Sequence, residues 1–244
     1  MNGAEIIIGR DVADLSERAA AEFVGVANRC VGTDGRFVVA LSGGGTPKSL
    51  YSLLASAELR AQIPWVQIHF FWGDERAAPP DHPDSNYRMA FESLLSKVPV
   101  PKENIHRIEA ELAPEAAAAK YERTIRDFFQ LSGVGWPRFD LILLGLGGDG
   151  HTASLFPGSE ALNETARVVV ATYVEKLKSY RITLTLPVLN RAANIFFLVA
   201  GEGKAAVLRD VLQRSKNLPA QQIVPVDGRL VWFLDEAAAS SLQS

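Results

Sequence analysis

The chain has 244 residues, 48% of them hydrophobic and 22% charged, and a formal net charge of -3. That is the composition of a globular protein with enough apolar residues for a sizeable core. Lys/Arg and Asp/Glu are interspersed, so there is no basic tract for nucleic acid and no acidic tail, and no apolar stretch approaches the ~20 residues that span a bilayer. Cys30 is the sole cysteine, which rules out an internal disulfide and a zinc site built on several thiols. The start, Met1-Asn-Gly-Ala-Glu-Ile-Ile-Ile, has no basic segment followed by a long apolar one, so no signal peptide is expected and the expected location is cytoplasmic.

Taken in chain order, Ile6 to Ile8 reads as a short strand. Asp11 opens an alanine-rich helix to about Val31, closed by Gly32 and Gly35. Phe37 to Leu41 is a buried strand leading into Ser42-Gly-Gly-Gly-Thr46, with Pro47 at the favoured first position of the next helix. Ile68 to Trp72 is a strand that exits into Gly73-Asp-Glu-Arg76, and Asp84-Ser85 caps a helix through Leu95. Pro114 to Leu131 is an amphipathic helix with Tyr121, Ile125, Phe128 and Phe129 inward. Strands follow at Asp140 to Leu146, Val168 to Val174, Arg181 to Leu186 (alternating with period two), Ile195 to Val199 and Val231 to Leu234. Helices are expected at Leu189 to Ala193, at Ala205 to Arg214 and after the last strand.

Strands alternate with helices throughout. The expected fold is therefore a single α/β domain over residues 1–244, with a doubly wound, mostly parallel sheet covered by helices on both faces. Two strand-to-glycine-turn units recur, at Val38 to Gly45 and Leu141 to Gly150, as two loops on one sheet edge. Such exits are where open α/β sheets bind ligands.

The chemistry-bearing residues gather at these exits. In Ser42-Gly-Gly-Gly-Thr-Pro, three glycines leave backbone amides unshielded in front of a helix start, which suits a phosphate. The Gly-Lys-Ser/Thr order of a Walker loop is missing. Gly145-Leu-Gly-Gly-Asp-Gly150 matches G-x-G-x-x-G, but Pro157 and Gly158 interrupt the helix a dinucleotide site requires. Those glycines read instead as room for a substrate beside His151. Asp149, two residues earlier in the turn, can fix the imidazole tautomer, and histidine suits proton transfer near neutral pH. No serine sits in a G-x-S-x-G elbow and Cys30 is mid-helix, so water is the expected nucleophile. Asp74-Glu75-Arg76 occupies a third exit, Arg181 begins a strand, and Lys204 follows Gly201 and Gly203 at a helix start. His69, His82 and His106 have no metal-ligand spacing.

Five segments in order, Leu41-Ser-Gly-Gly-Gly-Thr-Pro, Trp72-Gly-Asp-Glu-Arg-Ala-Ala-Pro, Asp84-Ser-Asn-Tyr, Gly145-Leu-Gly-Gly-Asp-Gly-His-Thr-Ala-Ser-Leu-Phe-Pro-Gly and Arg181-Ile-Thr-Leu-Thr, resemble 6-phosphogluconolactonases of the glucosamine-6-phosphate deaminase/6-phosphogluconolactonase family. The resemblance covers almost the whole chain. It implies a Rossmann-like fold similar to glucosamine-6-phosphate deaminases, and hydrolysis of 6-phospho-D-glucono-1,5-lactone in the oxidative pentose phosphate pathway, with no cofactor and no metal. It makes His151 the general base on water, supported by Asp149. Asp74 and Arg76 would contact the sugar or orient the lactone. Ser42, Gly43, Gly44, Gly45 and Thr46 with Arg181 and Lys204 would hold the phosphate, the roles of Arg76 and Arg181 being interchangeable. The implied partner is the small-molecule lactone, with neither nucleic acid nor membrane, and the chain is expected to be a monomer or weak homo-oligomer. The alternatives are an amino-sugar-phosphate isomerase or deaminase, a non-catalytic sugar-phosphate sensor, and, on the glycine pattern alone, a nicotinamide oxidoreductase. The deaminases resembled here carry Asp-Glu-Tyr in place of Asp74-Glu75-Arg76, and an acid shortly after the histidine, where this chain has Leu155-Phe156-Pro157.

Overall fold

In the computed structural model, which describes residues 3–213 and 216–242, the apolar runs become the inner strands of a sheet. The elements in chain order are β1 (Glu5–Gly9), α1 (Val12–Asp34), β2 (Phe37–Leu41), α2 (Gly45–Leu54), α3 (Ala57–Arg60), β3 (Ile68–Trp72), β4 (Asp74–Arg76), α4 (Asn86–Ser93), α5 (Pro114–Phe128), β5 (Leu141–Leu144), β6 (Val169–Val174), β7 (Ser179–Leu184), α6 (Leu186–Leu189), β8 (Asn194–Val199), α7 (Ala205–Leu212), β9 (Arg229–Asp235) and α8 (Glu236–Ala239). Six strands pair in parallel in the order β1-β9-β8-β5-β2-β3. Every residue of β2 and β5 is buried, as expected of parallel strands covered on both faces. At the edge, β1 is half exposed.

From β2 the chain steps to β3 on one side, and from β5 it steps through β8 to β9 on the other. The reversal falls between β2 and β5, so a crevice opens outside their carboxyl ends. Because all six strands run the same way, the exits of β3, β2, β5 and β8 share that edge.

A second sheet, not expected from the sequence, has three antiparallel strands in the order β4-β7-β6. Its strand β4 is the charged Asp74-Glu75-Arg76 segment, pairing Asp74 with Thr183, Glu75 with Ile182 and Arg76 with Arg181. Helix α5 packs against β6 and β7, and its Tyr121 hydroxyl donates to the Trp72 carbonyl at 3.0 Å and accepts from the Trp72 N–H at 2.8 Å.

Other expectations shift. Gly32 lies inside α1, which ends at Gly35 with φ 71, the left-handed value a C-terminal glycine supplies. Pro47 occupies the third position of α2, because Gly44 is the N-cap. The strand expected from Arg181 runs Ser179–Leu184, and the helix expected at Leu189 to Ala193 starts earlier, after Thr185. Helix α7 ends at Leu212; Arg214, its expected end, lies outside the described residues.

His69 and His106, given no role above, close the outer edge of β3. His106 N–H donates to the Phe70 carbonyl at 2.8 Å, its ring stacks on Phe71 at 4.3 Å, and its Nε2 lies 3.3 Å from His69 Nδ1. Burial, with His69 alongside, pushes His106 down to about 4, and burial with Arg36 nearby lowers His69. A folded-state value below the unfolded one means stability is complete above about pH 6.5 and is lost as pH falls towards 4. The variant His106→Phe should therefore lose less on acidification: its fall in Tm between about pH 6.5 and 5 should be roughly 2–4 °C smaller than that of the wild type. Equal falls in thermal scans would contradict this role.

Candidate active site

The crevice at the β2/β5 reversal is a cleft of about 580 Å³, within the range of small-molecule sites. It brings together Ser42, Gly43, Gly44, Gly45, Thr46, Asp74, Arg76, His151, Arg181 and Lys204. Asp149 stands behind His151 rather than in the wall. A second cavity, about 650 Å³, lies by β1 and α7 and is lined by residues such as Ile6, Val211 and Trp232, with no ionisable side chain among its described walls.

The β2 exit is pinned by Tyr51. Its buried hydroxyl accepts from the Ser42 N–H at 3.0 Å and donates to the Ser42 carbonyl at 2.9 Å. Ser42 Oγ is buried with no protein partner. Gly43 passes so close to Asn86 that a Cβ would lie 1.8 Å from its Oδ1. No side chain caps α2, so its positive end faces the cleft with the amides of Gly45 and Thr46 in its first turn.

The β5 exit folds tightly on itself. Gly147 N–H donates to the His151 carbonyl at 2.8 Å, and Gly150 N–H to the Gly147 carbonyl at 3.0 Å. The imidazole lies against the bare Gly147 backbone, where a Cβ would come within 2.0 Å of Nδ1. Phe156 stacks on the ring at 4.1 Å. Asp149 Oδ1 contacts His151 Nδ1 and accepts the His151 N–H at 3.2 Å. This pairing puts the proton on Nδ1 and leaves Nε2 as the free lone pair. Burial lowers His151 to about 4, with Lys204, Arg181 and Arg76 adding to the fall and Asp74 opposing it. The ring is thus a neutral base at pH 7.

From β3 and β4 comes Asp74, buried, with Oδ2 accepting from Ser154 Oγ at 2.6 Å and Oδ1 from Asn86 Nδ2 at 3.3 Å. Glu75 points away and anchors α4, accepting from Asn86 N–H and Tyr87 N–H at 2.8 Å each and from Ser85 Oγ at 3.1 Å. Its burial raises the carboxyl above the usual range. Arg76 and Arg181 face each other across the β4–β7 ladder, a like-charge placement that costs stability unless an anion sits between. Burial first, then Arg76, lowers Arg181. Lys204 comes from the β8 exit, which Asp235 holds by accepting the Gly201 N–H at 3.0 Å. Four cations, Arg76, Lys176, Arg181 and Lys204, against Asp74 and Asp84 make this wall anion-selective in a chain of net charge -3.

Several lining residues were not foreseen. Ser85 caps α4 as expected, its Oγ accepting from Arg88 N–H at 3.1 Å, but Asn86 beside it lines the cleft and holds Asp74. Ser154 and Phe156 lie within the conspicuous Gly145 to Gly158 segment without any pattern marking them. Lys176 sits in a Glu-Lys-Leu-Lys turn, where no local signal separates it from Lys178.

The family model described as glucosamine-6-phosphate isomerases/6-phosphogluconolactonase matches residues 10–232. The chain belongs to that family. It is 42% identical over 243 residues to a 6-phosphogluconolactonase of Synechocystis sp., covering 98% of both chains. It is 41% identical to 6-phosphogluconolactonase 3, chloroplastic, of Arabidopsis thaliana, covering 97% of this chain and 71% of that one. The structure matches 6-phosphogluconolactonase from Trypanosoma cruzi with a TM-score of 0.89 at 31% identity, covering 99% of this chain and 97% of the other. The α/β sheet described above is thus that of the family.

The protonation state of the half-buried imidazole is directly measurable. Followed by NMR, the His151 ring should stay unprotonated from pH 8 down to about 5 and titrate near 4. A midpoint at the ordinary value near 6.5 would contradict its placement.

Proposed function

We propose that the chain hydrolyses 6-phospho-D-glucono-1,5-lactone to 6-phospho-D-gluconate, the lactonase step of the oxidative pentose phosphate pathway. One observation carries this reading: a neutral histidine with a free Nε2 faces a cleft lined by four cations and an uncapped helix start. The relatives' names point to the same substrate.

The parts then act as follows. The phosphate dianion lies against the α2 start at Gly43 to Thr46, Ser42 Oγ and Lys204, using bare amides, a helix end and a cation together. The far end of the sugar, the lactone carbonyl, is thereby held beside His151. Water attacks C1 as Nε2 removes its proton. The carbonyl π electrons move to oxygen, and Arg76 or Arg181 meets that charge without rearranging. Collapse of the tetrahedral intermediate breaks the C1–O5 bond, and the imidazolium returns its proton to O5. Asp149 keeps the ring in one tautomer, and Asp74, held by Ser154 and Asn86, offers a fixed negative charge that favours the transient imidazolium. Phosphate binding contributes orientation rather than bond chemistry.

A deaminase reading lacks support at two points. Arg76 occupies the position of the tyrosine in the deaminases' Asp-Glu-Tyr, and Phe156, an apolar ring stacked on His151, occupies the region where those enzymes carry an acid. Among the described residues, no helix is long and apolar enough to cross a membrane. We further propose a cytoplasmic location, in keeping with the lone Cys30.

Freshly generated lactone should be consumed well above its spontaneous rate without added metal, while glucosamine 6-phosphate run beside it is untouched. His151→Ala should lower kcat by roughly 10²–10⁴ with an unchanged circular dichroism spectrum, and Lys204→Ala should chiefly raise KM. No acceleration over background, or turnover of the amino sugar, would overturn the assignment.

A further inference from the structure

We propose that Lys176 is a positioning residue for the His151–Asp149 pair, acting through Asp149 and Phe156 rather than on the substrate. This extends the lactonase reading and rests on it for its kinetic consequence.

Two independent contacts converge on this side chain. Asp149 gives one oxygen to His151, and its other oxygen, Oδ2, is met by Lys176 Nζ. The same ammonium lies 5.1 Å from the centre of the Phe156 ring, the ring that stacks on the imidazole at 4.1 Å. Lys176 therefore touches both restraints on His151, the carboxylate that sets its tautomer and the ring that fixes its plane.

Asp149 needs such a partner. It projects from a turn made largely of glycines, Gly147 to Gly150, and its side chain is 30% exposed. A carboxylate held at one oxygen can swing about its side-chain torsions into solvent, whereas held at both it fixes a plane and an Nδ1–H tautomer with it. An ordinary exposed ion pair contributes little to stability, so the consequence falls on geometry.

The placement of Lys176 is set by the small sheet. It lies in the turn Glu175–Leu177 joining β6 to β7, where Val174 pairs with Ser179 and Tyr173 with Tyr180. Arg181 is carried by the same hairpin, its guanidinium tied to Ser179 Oγ at 3.0 Å. The hairpin thus carries both Arg181 and Lys176 to the cleft wall, and Lys176 is the one that meets the carboxylate behind the base. The charged groups reaching His151 from the remaining elements are Asp74, Arg76 and Arg181 from the small sheet and Lys204 from the β8 exit. None of these touches Asp149.

The test compares Lys176→Met with Lys176→Arg. The methionine variant should lower kcat by roughly 10–100-fold, the scale of loss seen when the group orienting a metal-bound imidazole from behind is removed, with KM within a few-fold of wild type. The arginine variant, still able to grip a carboxylate and lie on Phe156, should recover most of that loss. Nitrogen-15 spectra of the substrate-free proteins should show His151 with Nδ1 protonated in wild type and a mixture of tautomers in the methionine variant. A raised KM with kcat unchanged would make Lys176 a substrate contact and overturn the proposal, as would kinetics and tautomer both unchanged. The tautomer comparison needs no substrate, so it decides Lys176 even if the lactone proves to be the wrong substrate.

Discussion

Everything in the cleft is arranged around one packing constraint, the imidazole of His151 lying flat on the backbone of Gly147. A side chain at that position would occupy the ring's own space. With glycine there, the ring drops into a slot closed by Phe156, with Asp149 at its edge. Burial favours its neutral form, and the edge contact leaves the Nε2 lone pair free. Without that slot, the cations of the cleft would still bind an anion, but no proton acceptor would stand at a fixed place beside it.

The sheet supplies the rest. Parallel pairing stacks the exits of β3, β2, β5 and β8 on one edge, so residues far apart in sequence share a cleft without any loop having to be long. The antiparallel sheet adds what the parallel one cannot. It sets Arg76 opposite Arg181 and holds both near the mouth. Like charges placed this way weaken the protein, and negative charge between them would relieve the repulsion.

Legibility from sequence followed how local each determinant is. Strands β2 and β3 were read to their observed ends because apolar runs stop at Ser42 and Gly73, and the glycine turns marked three of the four exits that carry the site. The small sheet was not legible. Asp74-Glu75-Arg76 has no apolar alternation, and it becomes a strand only because β7, over a hundred residues later, offers a partner edge. The role of Asn86 was hidden for the same reason: Ser85 caps the helix, and nothing local shows that the neighbouring amide reaches back to Asp74. Lys176 depends on a hairpin tip crossing to the β5 turn, a distance no spacing rule covers. Pro47 misled in the opposite direction, since proline is favoured at a helix start yet here sits two residues inside one.

The most direct test of the central constraint is the steady-state kinetics of Gly147→Ala alongside its affinity for 6-phosphogluconate. If the ring depends on that bare backbone, the added methyl displaces it. The variant should then keep its fold and bind the product within a few-fold of wild type, while kcat falls by about 10²-fold or more. A variant with wild-type kcat would show that His151 does not need this slot, and would contradict the arrangement on which the mechanism is built.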